Sequence, residues 1–201
     1  ADGMKNVKAI RWSENNKYAP KNATYYLWEK SVGKSESMIF YHKSGAELRQ
    51  VTFDLNGEPI FVDKLYDDFG NVKQESYPYY EKEDKLYVSN VYDTYNRKVE
   101  VTYPNEMRVT FMYDGNDIKK EYSYADGEKR YEKDTYNVMG WLINTTDNGG
   151  NTIKYEYYCD GKMKSSQIGE NRNTRITMTY DNRRNRASIY DPNYGMVLYE
   201  N

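Results

Sequence analysis

Cysteine and histidine are nearly missing: among 201 residues there is one of each, Cys159 and His42. One cysteine excludes an internal disulfide, and this pair of counts excludes a four-ligand Cys/His zinc site. No run of 18 apolar residues occurs, which removes a transmembrane helix, and no signal peptide is visible. The opening ADGM fits either the remnant of a removed export signal or a short added leader before Met4. Charge of one sign is lacking too. The 29 basic and 31 acidic residues leave a net charge of −2, which points to neither a nucleic-acid partner nor membrane insertion. Leu, Ile, Val and Phe number 7, 9, 12 and 5, or 33 of 201 residues, fewer than a thick aliphatic core needs. What the chain has instead is 24 tyrosines. A tyrosine buries a ring while its hydroxyl finds water or a partner, which suits half-buried sheets.

The tyrosines recur in a pattern. An aromatic residue is followed four positions later by Gly, Asn or Asp at Tyr41–Gly45, Phe53–Gly57, Tyr66–Gly70, Tyr92–Asn96, Tyr113–Asp117, Tyr136–Gly140 and Tyr157–Gly161. Two further copies run one residue longer, Tyr180–Asn185 and Tyr190–Gly195. The residue after the aromatic is Asp at Asp54, Asp67, Asp93, Asp114, Asp181 and Asp191; elsewhere it is His42, Asn137 or Tyr158. Asp at the first position of a turn accepts backbone N–H bonds. Gly three residues on takes positive φ, closing a type I turn with a bulge. Asn and Asp are the next residues to tolerate that conformation. From Tyr92 to Tyr180 the aromatics step by 21, 23, 21 and 23 residues, with a second turn signal midway, as in YPNEM, ADGE, DNGGN and ENRN. Before Tyr92 the turns come every 12 to 13 residues, EKEDK being a variant. One strand per step is the common rhythm.

The intervening segments, such as RKVEVTY, RVTFMY and TRITMTY, alternate with period two and are rich in β-branched and aromatic residues. Pairing Thr146 with Thr152 sets Thr145 opposite Ile153, Ile143 opposite Tyr155 and Trp141 opposite Tyr157. In KRYEKDTY, Tyr131 and Tyr136 fall on opposite faces, which calls for a bulge. Ser165 sits mid-strand, where Val should be well suited. The expected fold class is all-β: an antiparallel meander of repeated β-hairpins, about 17 strands, curling into a spiral or partly closed sheet because an open twisted sheet rarely exceeds about ten strands. Residues 1–40 lack the turn and hold Trp12 and Trp28, so they are expected to cap the array formed by 41–201.

The segment YNVMGWLINTTDNGGNTIKYEYYCDGKM (136–163) resembles the YD repeats of the Rhs family. Gly140-Trp141-Leu142 and Gly161-Lys162-Met163 stand in its Gly-Arg-Leu slots; Gly150-Asn151-Thr152 and Tyr155-Glu156-Tyr157 fill the rest. The resemblance covers roughly 41–195. It implies the β-sheet spirals of Rhs proteins, toxin-complex shells and teneurins, some of which enclose a toxin and some of which cleave themselves at an aspartyl site. YDPNYG (190–195) is similar to the start of that core segment, but the second Asp-Pro segment and a toxin domain are absent from this sequence.

Catalytic, cofactor and metal-binding residues are therefore not assigned. His42 reads as a turn residue, Cys159 as a neutral thiol in a turn, and the acidic pairs as turn caps. DNGGN and DGND lack the spacing of an EF-hand. The arginines at 172, 175, 183, 184 and 186 read as a solvated strand face, and Trp141 and outward tyrosines as sheet packing. The residues expected to matter are structural turn residues: Gly45, Asp54, Gly57, Asp67, Gly70, Asp93, Asn96, Asp114, Gly140, Gly161, Asp181 and Gly195. The expected function is a non-enzymatic structural or interaction module of a cell-surface, secreted or periplasmic protein, or a fragment of a larger shell-forming one. Its expected partner is a protein or glycan, with self-association through the C-terminal edge strand. A carbohydrate-binding module using exposed aromatics is the alternative, and a degenerate hydrolase ranks last.

Overall fold

The computed structural model describes residues 7–31 and 33–199. The expectations about the first residues and about Glu200 and Asn201 lie outside them. The protein is all-β and antiparallel, and it divides into two compact units, residues 1–107 and 108–201. Among the described residues there are eighteen strands where about 17 were expected. The difference is a two-residue strand that sequence periodicity does not reveal. Among the described residues the sole helical element is a 3-10 turn, Arg172–Thr174, which occupies the ENRN segment instead of a hairpin turn. No helix among them is long and apolar enough to cross a membrane.

The first unit contains β1 (Val7–Trp12), β2 (Tyr25–Lys30), β3 (Ser37–Tyr41), β4 (Glu47–Phe53), β5 (Pro59–Tyr66), β6 (Val72–Ser76), β7 (Tyr79–Tyr80), β8 (Tyr87–Tyr92) and β9 (Lys98–Thr102). Neighbours in the chain pair in order from β1 to β5. At β5 the sheet forks: Ile60 and Phe61 pair with β7, while Lys64, Leu65 and Tyr66 pair with β6. β6 then pairs with β8, and β8 with β9.

Because the register is continuous, side chains line up in rows across the strands. One row runs Trp28, Met38, Val51, Phe61, Tyr79. The parallel row on the same face runs Tyr26, Phe40, Arg49, Asp63. The buried cluster of the unit is drawn from these rows: Tyr26, Met38, Phe40, Val51, Phe61 and Tyr79. Tyr26 stacks on Phe40 at 5.0 Å between centroids, and Phe61 meets Tyr79 at 5.5 Å, offset aromatic geometries that add to area burial.

The loop between β1 and β2 folds over this face. Tyr18, Ala19 and Ala23 pack on the cluster, and Ser13 Oγ donates to the Ala23 carbonyl at 2.6 Å to close the loop. Trp28 also packs there, its indole N–H donating to Glu36 at 2.9 Å. Trp12, expected to share that covering role, is 75% exposed. It ends β1, a strand paired by β2 alone among the described pairings, and the small loop residues fill the place its ring was expected to take.

The second unit is a plain meander: β10 (Arg108–Asp114), β11 (Asp117–Ser123), β12 (Lys129–Tyr136), β13 (Leu142–Asp147), β14 (Thr152–Tyr157), β15 (Met163–Ile168), β16 (Ile176–Tyr180), β17 (Arg186–Asp191) and β18 (Gly195–Leu198). Each pairs with its successor. Among its described residues Val109 is the buried apolar side chain, so half-buried tyrosines and ladder hydrogen bonds supply most of the order. Thr146 pairs with Thr152 and Thr145 with Ile153, as the alternation requires. The bulge expected within residues 129–136 is not in that strand: β12 runs in unbroken register along β11, and the register shift at Thr135/Tyr136 places the extra residue in β13. The shift skips Ile143, and the β13–β14 ladder stops at Asn144–Lys154, so Ile143 is not set opposite Tyr155.

Candidate functional site

The repeated feature of both units is one hairpin turn. Numbering its first residue X, the X amide donates to the X+4 carbonyl and the X+3 amide to the X carbonyl, with X+3 in the left-handed region. This is a type I turn closed by a bulge. It occurs among the described residues at His42, Asp54, Asp67, Asp93, Tyr103, Tyr124, Asn137, Asp147, Tyr158 and Asp181. Glycine fills X+3 at Gly45, Gly57, Gly70, Gly127, Gly140, Gly150 and Gly161; Asn96, Glu106 and Arg184 take it at φ 59°, 64° and 70°.

The side chains explain why Asp recurs. Asp67 Oδ1 accepts from the amides of Phe69 and Asn71 at 3.0 and 2.8 Å. Asp54, Asp93, Asn137, Asp147 and Asp181 repeat this pair of bonds. Where X is Tyr, the residue at X+2 substitutes: Asn105, Asp126 and Asp160 accept from the X+4 amides of Met107, Glu128 and Lys162. That amide would otherwise lack an acceptor, because the turn leaves it outside the ladder. Burial acts to raise the Asp67 carboxyl, but hydrogen bonds from Asn71 and from neighbouring amides outweigh it and hold the group below its ordinary value.

Two of the expected turns differ. Asp114 does not cap a four-residue turn: it pairs with Asp117 across a two-residue turn, Gly115-Asn116, in which Gly115 takes φ 55°. A Gly placed directly after Asp lets the chain reverse two residues early. The Tyr180 copy is not longer than the others, because Arg184 rather than Asn185 takes the left-handed position. In the last hairpin Asp191 pairs with Gly195, whose φ is 84°.

The aromatic before X has its own partner. Tyr66, Tyr92, Tyr157 and Tyr180 donate their hydroxyls to the carbonyls of Glu47, Val72, Leu142 and Met163 at 2.7, 3.0, 2.7 and 3.1 Å. Each acceptor is residue X+5 of an earlier turn. Two residues beyond it the ladder to the tyrosine's strand stops, at Arg49–Asp63, Gln74–Ser89, Asn144–Lys154 and Ser165–Thr177. The cause is a second bulge that skips Leu48, Lys73, Ile143 and Lys164. The bulge twists the strand end away from its neighbour, and the tyrosine hydroxyl reaches the carbonyl left behind. Trp141 serves the same edge, its ring 5.5 Å from that of Tyr157 and against Gly161.

Sequence reading missed a buried charge cluster. Asp63, 6% exposed, is held by Arg49 through two bonds of 2.5 and 2.9 Å, by the Tyr79 hydroxyl at 2.7 Å and by Lys85 at 2.9 Å. Arg49 also donates to the Tyr18 carbonyl at 3.1 Å, and the Asp63 amide donates to Ser76 Oγ at 2.8 Å. Burial acts to raise the Asp63 carboxyl, yet hydrogen bonds from Arg49, Tyr79 and Lys85 prevail and bring it down to about 2. The same burial and the bond to Asp63 push the Tyr79 hydroxyl up. The cluster ties the β1–β2 loop, β4, β5, β7 and the loop before β8 together. The available signal was the alternation in PIFVDKLY, which puts Asp63 on the face of Phe61.

The second unit has a smaller counterpart. Asp134 is buried and accepts from Lys120 and from Thr145 Oγ1, each at 2.7 Å. Burial acts to lower the Lys120 ammonium, but the bonds to Asp134 and Glu132 raise it overall. Asp63 faces Arg49, Lys85 and the Tyr79 hydroxyl, and Asp134 faces Thr145 and the Lys120 ammonium that it shares with Glu132. Such bonds fix the side chains they join.

His42 accepts the Ser44 amide at 3.2 Å inside its turn. Cys159 is exposed at a turn whose neighbours are occupied, Arg184 with Asp160 and Lys162 with the Arg184 carbonyl. Among the described residues no group of three or more Asp, Glu, His and Cys side chains is placed to hold a metal. Large apolar side chains do stand in solvent at two turn tips of the first unit, Phe69 at 82% and Tyr95 at 79% exposed, on turns joined by an Asn71–Asn96 hydrogen bond of 3.1 Å.

No family model matches the chain, and no curated protein matches its sequence. Solved structures do match in fold. The crystal structure of TcdB2-TccC3-Cdc42 superimposes on 97% of this chain with a TM-score of 0.56 at 11% identity. That of TcdB2-TccC3-TEV covers 94% with a TM-score of 0.53, also at 11% identity. In both, this chain spans 12% of the length of the matching chain. The fold of this protein is thus similar to that of a short stretch of the TcdB2-TccC3 chains.

Proposed function

We propose that the chain is a non-enzymatic YD-repeat module of the Rhs type, a length of β-sheet wall serving a larger structure outside the cytoplasm. The observation that carries this reading is that the polar groups of the repeat are consumed internally. In the pairs Tyr66–Asp67, Tyr92–Asp93 and Tyr180–Asp181 the Asp accepts turn amides and the Tyr hydroxyl bonds a carbonyl of an earlier hairpin. Residues spent on their own backbone make shape. The fold likeness to the TcdB2-TccC3 chains agrees with the resemblance of residues 136–163 to YD repeats. One observation favours a second reading, glycan binding: Phe69 and Tyr95 present rings to solvent on linked turns, and exposed aromatic surface marks interaction sites.

An oligosaccharide array probed with the wild type and with a Phe69→Ala/Tyr95→Ala variant separates the two. The structural reading expects no saturable binding by either protein. Saturable binding lost in the variant would replace it with the glycan reading.

A further inference from the structure

We propose that the second unit carries an intramolecular cross-linking site, in which the Lys120 amine and the Asp134 carboxyl condense to an amide, with Glu132 as proton carrier and Thr145 as oxyanion donor. The inference goes beyond the reading above, because these four side chains lie between the turns and belong to no YD pair. Register brings them together. Lys120 on β11 pairs with Phe111 on β10 and with Glu132 on β12. Asp134, two residues further along β12, pairs with Ile118 and with Thr145 of β13. With a side-chain period of two, all four groups share one face of the sheet.

Lys120 Nζ lies 2.7 Å from Asp134 Oδ2 and 2.5 Å from Glu132 Oε1. Thr145 Oγ1 donates to the other oxygen, Asp134 Oδ1, at 2.7 Å. The two carboxyl oxygens thus have different neighbours. Attack of Nζ on Cγ places negative charge on Oδ1, where a hydroxyl already points, and makes Oδ2 the leaving oxygen. Asp134 is 4% exposed, and half-buried Phe111 and Ile118 flank the pair. Groups held in reacting geometry reach effective molarities of about 10⁵–10⁸ M, which favours the amide over the separate acid and amine.

The step balances without any further reactant. The ammonium passes one proton to Glu132, and its freed lone pair forms the N–C bond. A second proton leaves nitrogen as the C–Oδ2 bond breaks. Glu132 returns its proton, and Oδ2 departs with both protons as water. The three hydrogens of the ammonium end as one amide N–H and one water. The carboxylates that keep the Lys120 ammonium charged are also the groups that take its protons, so the transfer stays inside the cluster.

The charge cluster of the first unit shows the contrast. Lys85 meets buried Asp63 at 2.9 Å, but Arg49 binds both Asp63 oxygens, and its permanent charge keeps that carboxyl ionised. Among the described ion pairs Lys85 has no second carboxylate to carry its proton.

Intact-mass spectrometry of the denatured chain tests the proposal. The wild type should be one water lighter than its sequence requires. Trypsin should release a branched peptide joining residues 120–129 to 134–154, with Lys120 uncleaved. Lys120→Arg keeps the charge but cannot form the link; it should show the full sequence mass and an unchanged circular dichroism spectrum. Glu132→Gln and Thr145→Val retain both reacting groups. In samples drawn at intervals after a short induction, each should link about a hundredfold more slowly than the wild type. A wild type of full sequence mass, a lost water that persists in Lys120→Arg, or a wild-type rate in Glu132→Gln or Thr145→Val would each overturn the proposal.

Discussion

Asp63 shows how much of this protein depends on single side chains that local sequence does not explain. Its carboxylate is buried on the core face, and three separate segments supply its partners. Removing one member of a buried pair leaves the others uncompensated, so Asp63→Asn should cost about 3–5 kcal/mol. The sign of the pH effect follows from the shift. The folded carboxyl sits at about 2, below the ordinary value of about 3.9. Its contribution is therefore present above about pH 4 and is lost as pH falls through about 2. Urea midpoints of wild type and Asp63→Asn should converge over that window; a constant difference would show that the carboxylate is not what matters. Glu106 tests the turn from the other side. It is a non-glycine residue at φ 64°, a conformation that costs an L-residue roughly 1–2 kcal/mol. Glu106→Gly gives back part of that in unfolded-chain entropy, so a net gain of about 0.5–1 kcal/mol is expected in urea unfolding, and a loss would refute the strain. At this scale legibility was uneven. Asp67 and Gly70 are readable because their partners lie within four residues. Arg49, Asp63, Tyr79 and Lys85 are not, because only the register of β4 on β5 and the fork to β7 bring them together.

Hairpins are the next level, and there the sequence carries most of the information. A turn is specified over five residues, and ten copies at a steady rhythm leave little room for another reading. The misreadings have local causes: Gly115 follows Asp114 directly, and Arg184 takes the left-handed position that Asn185 was expected to fill. Ser165 is a further correction. It was expected to accept Val, but it is buried, donates to Glu156 and accepts from Arg175, so it is no neutral control. A better comparison uses two glycines of the same turn. A Cβ at Gly127 (φ 87°) meets nothing within 4 Å, whereas at Gly161 (φ 84°) it lies 3.1 Å from the Trp141 ring. Both Gly→Ala variants should lose about 1–2 kcal/mol to positive φ, and Gly161→Ala should lose more because Trp141 must shift from Tyr157. Equal midpoints would mean that Trp141 yields without cost.

For the whole molecule, the account is that a YD pair is a device for stacking hairpins rather than for chemistry. The all-β meander was legible in the sequence because alternation and turn spacing repeat. The division at residue 107 was not, since the strand rhythm runs through it unchanged. What periodicity also could not show is the destination of the tyrosine hydroxyls, which depends on the second bulge that skips Leu48, Lys73, Ile143 and Lys164. The most direct test replaces Tyr66, Tyr92, Tyr157 and Tyr180 together by Phe, keeping every ring and removing four hydroxyls. Each of the four bonds is worth about 0.5–1.5 kcal/mol, so urea unfolding should show a loss of roughly 2–6 kcal/mol with an unchanged slope against denaturant. A midpoint equal to that of the wild type would contradict the claim that these tyrosines bind one hairpin to the next.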